Sequence, residues 1–231
     1  MQIIDFFKCH SCQDAKALSL SIPLCEACYN SIDIEQTPTL LCSKCSSPIC
    51  ILHSNCQHPW INFNPINSFH SQYLLTPKTY KILKNWKKSR GFLLNKLVLK
   101  INTTTIRKLE ALDLKYIIPI PQHKKRQWIL SGSPVEETAK LLSKKIKTKI
   151  LPLLKISETK KTQGPLSLEK RISNTFYFEI KNNLDHIERD KNILIIDDFM
   201  TSGKTIQSAA ITLKSVGFRN IHCFCLGYKP F

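Results

Sequence analysis

The chain has 231 residues, of which 34 are Lys or Arg and 17 are Asp or Glu, giving a formal net charge of +17. Hydrophobic residues make up 42% of the sequence, which excludes an intrinsically disordered chain. No apolar run approaches the roughly 18 residues that a membrane-spanning helix needs. The first residues lack the basic, apolar and small segments of a secretory signal, so we expect a cytoplasmic protein without a transmembrane segment.

Eight of the ten cysteines lie between Cys9 and Cys56. The clearest pattern is two CxxC pairs, Cys9 with Cys12 and Cys25 with Cys28, separated by twelve residues. In a reducing cytosol such clusters are more often metal ligands than disulfides. Two thiolates three positions apart hold one face of a Zn²⁺ ion, and a second pair completes the tetrahedron. The spacing therefore predicts a structural zinc site.

A second zinc site is predicted further along the same segment. Cys42 and Cys45 form a third CxxC pair, and His53 and Cys56 repeat the pair spacing with one imidazole ligand. Cys50 in place of His53 is the alternative fourth ligand. Four protein ligands leave no open position for a substrate, so both predicted zinc ions are structural. These patterns divide the chain into a cysteine-rich zinc-binding module at 1–60 and a larger domain at 61–231.

The larger domain begins with a strongly basic stretch. Thr76 and Pro77 resemble a helix start, and a helical pattern continues to about Asp113. Between Lys78 and Arg126 there are 14 Lys and Arg but only two acidic residues, a local net charge of +12. Such a concentration indicates a polyanionic partner, with nearby aromatic residues either stacking on bases or packing in the core. The candidate nucleic-acid contacts are Lys84, Lys87, Lys88 and Arg90.

Strands and helices then alternate, which predicts a parallel α/β sheet flanked by helices. Ser133 and Pro134 have the spacing of a capped helix start. Cys223 and Cys225 lie two apart in the last predicted strand, on one face, and are predicted to pack in the core. The predicted strands are Tyr116–Ile120, Ile150–Leu154, Phe176–Ile180, Asn192–Ile196 and Ile221–Leu226; the predicted helices are Ser133–Lys147 and Ile206–Val216, the latter ended by Gly217.

The segment from Ile193 to Thr205 contains the most informative set of candidate binding residues. An apolar strand is followed by two adjacent carboxylates, Asp197 and Asp198, and then by a short hydroxyl-rich loop with Gly203 that opens a helix. Ligands of parallel α/β sheets bind at the carboxyl ends of the strands. A loop of this kind presents N–H groups and hydroxyls to a phosphate at the positive end of the helix dipole. It is not the GxxxxGK[ST] loop of nucleoside triphosphatases.

Four apolar positions, two acids and a Thr-Ser-Gly-x-Thr loop resemble the phosphoribosyl pyrophosphate signature of type I phosphoribosyltransferases. The resemblance implies that Asp197 and Asp198 accept hydrogen bonds from the ribose 2′- and 3′-hydroxyls. It also implies that the loop cradles the 5′-phosphate and that Mg²⁺ accompanies the pyrophosphate. The implied loop contacts are Thr201, Ser202, Gly203, Lys204 and Thr205.

Further residues narrow the resemblance to one family. The chain is similar to the competence protein ComF family in several spaced motifs. These are the Ile117–Pro121 segment, Thr162-Gln163, Arg171, Asn174 and Phe176. The resemblance implies a double zinc ribbon followed by a type I phosphoribosyltransferase-like domain. It also implies a role in natural transformation, in which the protein handles incoming single-stranded DNA beside a helicase partner.

The chain departs from that family at one loop. The family's Arg-Gly-Phe-Asn-Gln block, expected to meet pyrophosphate, is replaced here by Leu130–Pro134, while Lys125 and Arg126 remain to supply positive charge. The sequence therefore assigns no catalytic residue and leaves turnover open. The alternative function is a nucleobase phosphoribosyltransferase of nucleotide salvage.

Overall fold

The computed structural model describes residues 66–75, 101–122, 133–157, 178–181, 184–201 and 203–229, together with residue 27. Within these ranges the chain forms three helices, a five-stranded sheet and a two-stranded sheet. The elements in chain order are β1 (Ile66–Leu74), α1 (Thr103–Glu110), β2 (Leu114–Pro119), α2 (Pro134–Lys145), β3 (Lys149–Ile150), β4 (Leu154–Ile156), β5 (Phe178–Ile180), β6 (Asn192–Met200), α3 (Lys204–Ser215) and β7 (Asn220–Tyr228).

The larger sheet is parallel throughout and has the strand order β1-β7-β6-β2-β3. Its central strand β6 is buried at both faces, as a parallel strand covered on two sides must be. One face packs on α1 and α2 through a cluster that includes Leu109, Ile117 and Leu142. The other face packs on α3 through a cluster that includes Ile195 and Ala209. The predicted parallel α/β fold with flanking helices is confirmed.

Local sequence signals explain where the helices begin. The Asn102 side chain accepts a hydrogen bond of 2.7 Å from the Thr105 N–H ahead of α1. Ahead of α2, the Ser133 side chain accepts a hydrogen bond of 3.3 Å from the Glu136 N–H, and Pro134 lies in the first helical turn. Each cap supplies a partner for an N–H that the helix itself cannot satisfy. The predicted start of α2 is therefore confirmed.

Two strands differ from the sequence-based expectation. The predicted strand Ile150–Leu154 is wrong as a single element, because β3 ends at Ile150 and β4 begins at Leu154. Pro152 lies between them and has no N–H to donate, so it cannot continue a ladder. Strand β6 is longer than predicted and runs past Ile196 to Met200, paired along this extension with β7. The two aspartates therefore lie inside the strand rather than after it.

The strand β1 was not predicted. It pairs in parallel with β7, and its sequence carries polar residues at most positions of one face. Cys223 and Cys225 are buried in the cluster under α3, which confirms their predicted place in the core. None of the described helices is long and apolar enough to span a membrane.

Candidate functional site

The connections of the sheet define a crevice between β2 and β6. From β2 the chain passes through α2 to β3 on one side, whereas from β6 it passes through α3 to β7 on the other side. The two crossing helices lie on opposite faces of the sheet. Neighbouring strands whose connections diverge leave an open crevice at their carboxyl ends, where ligands of such sheets bind. This crevice is the candidate functional site.

Asp197 and Asp198 lie near the carboxyl end of β6, beside this crevice, but differ in environment. Asp197 pairs in register with Cys225 and is partly exposed. Its Oδ1 accepts a hydrogen bond of 2.8 Å from the Asp198 N–H. Asp198 is only 3% exposed, and its Oδ1 accepts a bond of 2.7 Å from the Phe199 N–H. Backbone donors therefore hold both carboxylates close to the strand that carries them.

The second oxygen of Asp198 contacts the neighbouring strand. Gln122, three residues after the end of β2, donates from Nε2 to Asp198 Oδ2 at 3.3 Å. Gln122 is not predictable from the sequence as a site residue, because a single glutamine after Pro119 and Pro121 belongs to no recognisable motif. The register of β2 with β6, in which Pro119 pairs with Ile196, brings the two side chains together.

The loop after β6 leads directly into α3. Gly203 is the N-cap residue of α3 and has φ of 69°, a left-handed conformation that glycine adopts without a steric penalty. A glycine has no side chain with which to cap the helix, and no side-chain cap is formed there. The first turn of α3 also contains no acidic residue. The N–H groups of that turn are therefore available to an anion at the positive end of the helix dipole.

The remaining loop residues flank this helix start. Thr201 and Thr205 are partly exposed, Gly203 is buried and Lys204 is exposed. The structure thus places Asp197, Asp198, Thr201, Gly203, Lys204 and Thr205 on one continuous strand, loop and helix start. Ser202, Lys125 and Arg126 lie outside the described residues.

Asp197 also acts electrostatically on the core beneath it. Burial raises the pKa of both thiols, Cys223 and Cys225, and the negative charge of Asp197 raises each of them further. These thiols are therefore neutral near pH 7 and do not provide a thiolate nucleophile at the site.

The predicted zinc ligands and the candidate DNA contacts lie outside the described residues. The zinc ligands concerned are Cys9, Cys12, Cys25, Cys28, Cys42, Cys45, Cys50, His53 and Cys56, and the DNA contacts are Lys84, Lys87, Lys88 and Arg90. In the part of the chain that the structure does describe, no group of three or more His, Cys, Asp or Glu side chains could hold a metal ion.

Comparison with known proteins gives the class of this domain. Residues 136–230, which include the strand, loop and helix of the candidate site, match the family model of the phosphoribosyl transferase domain. The chain therefore contains a phosphoribosyltransferase-like domain. No curated protein sequence matches the chain.

Solved structures that resemble the chain include a purine phosphoribosyltransferase from Pyrococcus horikoshii Ot3. The two proteins share 17% identity over 68% of this chain and 78% of that one, with a TM-score of 0.38. A glutamine phosphoribosylpyrophosphate amidotransferase from B. subtilis shares 13% identity over 60% of this chain and 26% of its own, with a TM-score of 0.36. An adenine phosphoribosyltransferase from Leishmania donovani shares 10% identity over 66% of each chain, with a TM-score of 0.31.

Proposed function

We propose that this domain binds phosphoribosyl pyrophosphate, or a closely related 5-phosphorylated ribose, in the crevice between β2 and β6. The observation that carries the proposal is the position of two adjacent carboxylates immediately before a helix start that has no side-chain cap. Carboxylates accept hydrogen bonds from hydroxyls, and free N–H groups at a helix start donate to phosphate. One short segment thus offers both groups of partners that a phosphorylated sugar requires.

In this proposal each group of residues binds a different part of the ligand. Asp197 and Asp198 bind the ribose 2′- and 3′-hydroxyls, and the loop from Thr201 to Thr205 binds the 5′-phosphate. Lys125 and Arg126 supply positive charge to the pyrophosphate. A Mg²⁺ ion held by one or two carboxylates and by ligand phosphates is typical of such sites, and the donor set here fits it.

A calorimetric titration of the purified protein with phosphoribosyl pyrophosphate and Mg²⁺ tests the binding proposal. We expect saturable binding at one site per chain. Inorganic sulfate at the same ionic strength is the control, because it offers an anion without the ribose hydroxyls. Equal affinity for both ligands, or no heat of binding with either, would refute the proposal.

We further propose that the protein serves DNA uptake in natural transformation, where it handles incoming single-stranded DNA beside a helicase partner. The resemblance to the competence protein ComF family and the +12 charge between Lys78 and Arg126 support this role. Affinity for a single-stranded oligonucleotide should fall steeply as salt rises, because each neutralised phosphate releases counterions. Replacing Lys84, Lys87, Lys88 and Arg90 by Gln should flatten that salt dependence. Absence of binding at low salt would contradict the proposal.

The second candidate function is a nucleobase phosphoribosyltransferase of nucleotide salvage. The match of residues 136–230 to the phosphoribosyl transferase domain favours it about equally. This function predicts release of pyrophosphate with one particular nucleobase and its loss in Asp197→Ala. Binding of phosphoribosyl pyrophosphate without turnover across the common nucleobases would favour the DNA-handling role.

The zinc module at 1–60 and the domain at 61–231 remain part of the proposal. Purified protein should carry about two Zn²⁺ ions per chain, one for each predicted set of four ligands. Elemental analysis measures this directly. Metal-free folded protein would remove the zinc sites from the proposal without affecting the phosphoribosyl site.

A further inference from the structure

Gln122 occupies a position that packing alone does not explain. Its Nε2 donates to Asp198 at 3.3 Å, whereas its Oε1 is buried and has no hydrogen-bond partner among the described residues. The orientation of the amide follows from chemistry, because an ionised carboxylate only accepts hydrogen bonds and must face the NH₂ group. The carbonyl oxygen is therefore the atom without a partner.

A buried acceptor without a donor is unfavourable, and such atoms in native structures call for an explanation. Gln122 lies beside the crevice, at the end of the strand next to β6. A methionine of similar volume would remove the unpaired Oε1, but it would also remove the Nε2 donor to Asp198. A hydroxyl donor on a bound ligand would satisfy Oε1 and keep the hydrogen bond to Asp198.

From this arrangement we infer that Gln122 is a ligand-contact residue, whose Oε1 accepts a hydrogen bond from a hydroxyl of the sugar that Asp198 binds. This inference rests on the proposed function, because it needs a hydroxyl-bearing ligand in the crevice. The two ends of one amide then act together: Nε2 orients the Asp198 carboxylate and Oε1 holds the hydroxyl. The ligand class is a phosphorylated sugar with its ribose hydroxyls intact.

The inference is tested with three ligands titrated into full-length wild-type protein and into Gln122→Met. Phosphoribosyl pyrophosphate and ribose 5-phosphate carry ribose hydroxyls, whereas inorganic pyrophosphate does not. We expect Gln122→Met to weaken the first two by about three- to tenfold, the usual range for one net hydrogen bond, and to leave pyrophosphate within about twofold. Equal weakening of all three ligands, or of none, would overturn the inference.

A second variant keeps the test valid if Gln122→Met does not fold. In Gln122→Glu the acceptor oxygen is kept, but a second carboxylate faces Asp198. Like charges at this distance favour sharing one proton, so the affinity ratio of wild type to variant for ribose 5-phosphate should approach one as pH falls from 8 towards 5.5. A ratio that does not change with pH would contradict the inference.

Gln72→Met is the matched control. Gln72 is a buried glutamine, and its Oε1 accepts a hydrogen bond of 3.2 Å from the Asn102 N–H ahead of α1. This control should lower the melting temperature without altering any of the three affinities. If the wild-type protein binds no ribose ligand, the proposed function and the inference both fail. If wild type binds and Gln122→Met binds equally well, only the inference fails.

Discussion

The side chain of Gln122 donates a hydrogen bond to Asp198 across the gap between β2 and β6, with an Nε2 to Oδ2 distance of 3.3 Å. This bond joins the two strands at which the helical connections of the sheet diverge. It also distinguishes two aspartates that are adjacent in sequence, because Asp198 accepts from the Gln122 side chain and is nearly completely buried, whereas Asp197 is partly exposed. The two carboxylates should therefore respond differently to substitution.

Asp197→Ala and Asp198→Ala should both weaken binding of phosphoribosyl pyrophosphate by about tenfold or more, since hydrogen bonds to charged groups contribute roughly 1.5–3 kcal/mol. Their effects on stability should differ. Asp198→Ala removes the acceptor of the partly buried Gln122 side chain and should lower the free energy of unfolding by about 1–3 kcal/mol. Asp197→Ala, at a partly exposed position, should change it by less than about 0.5 kcal/mol. Urea unfolding measures both, and equal destabilisation would contradict the asymmetry.

Gly203→Ala should lower both the free energy of unfolding and the affinity for phosphoribosyl pyrophosphate. At φ of 69° a Cβ costs about 1–2 kcal/mol, and relaxation of the loop would displace the N–H groups at the start of α3. Gly217, which follows α3, has φ of 100° and provides the control. We expect both alanine variants to lose stability in urea, but only Gly203→Ala to lose affinity for phosphoribosyl pyrophosphate. A loss of affinity in both variants would show that the effect is not local.

Gly227 in β7 allows two side chains to approach closely. A Cβ at this position would lie 2.8 Å from Leu75 Cδ1 and 2.8 Å from Phe199 Cδ1, where Phe199 is the strand partner of Gly227. Gly227→Ala should therefore lower the free energy of unfolding by about 1–3 kcal/mol through overpacking.

The double variant Gly227→Ala/Leu75→Ala tests the cause of that loss. Because shortening Leu75 removes one of the two contacts, the combined loss should be smaller than the sum of the single losses. Additive losses in denaturant unfolding would show that the close approach of Leu75 is not the cause.

A half-buried polar cluster on β1 and β7 should make the stability depend on pH. Ser68 Oγ lies 2.8 Å from His70 Nε2 and 2.7 Å from His222 Nδ1. Burial, with smaller contributions from His222 and then Lys108, lowers the pKa of His70 from 6.5 to about 4. Burial also lowers the pKa of His222. The folded state therefore keeps these imidazoles neutral.

The sign of the pH effect follows from proton uptake. Between pH 6.5 and pH 4 the unfolded chain binds a proton at His70 and the folded chain does not, so stability falls as pH falls through this window. The full effect of His70 is about 3 kcal/mol. His70→Gln keeps a hydrogen-bonding group but cannot titrate. When the pH is lowered from 7 to 4.5, the free energy of unfolding of this variant should fall by about 2 kcal/mol less than that of the wild-type protein. Identical pH dependence of urea unfolding in both proteins would refute the role of His70.

The parallel α/β fold could be predicted from the sequence, as could the loop after Asp197 and Asp198 that opens a helix, because both depend on local patterns. The apolar run Ile193–Ile196 is short and rich in isoleucine, which favours a buried strand, and glycine after a hydroxyl-rich loop indicates a helix start. The extension of β6 to Met200 was not predictable in the same way. Polar residues end the apolar pattern at Asp197, but hydrogen bonds from the backbone to the two carboxylates and pairing with β7 continue the strand.

The features that were missed depend on distant parts of the chain. Strand β1 has polar residues at consecutive positions, such as Ser71 and Gln72, and is defined by pairing with β7, in which Ser68 is the partner of His222. Gln122 acquires its importance from a residue 76 positions away. Neither relationship leaves a periodic signal in the local sequence, so only the register of the sheet could identify them.

We propose above all that the segment from Asp197 to Thr205 binds a phosphorylated ribose. The most direct measurement is a titration of ¹⁵N-labelled protein with phosphoribosyl pyrophosphate and Mg²⁺, followed by the amide resonances. We predict that the largest shift changes occur at Asp197, Asp198 and the first turn of α3, with a smaller change at the Gln122 side-chain amide. Saturable binding whose largest changes lie elsewhere, such as at α1 or the amino ends of the strands, would contradict the account.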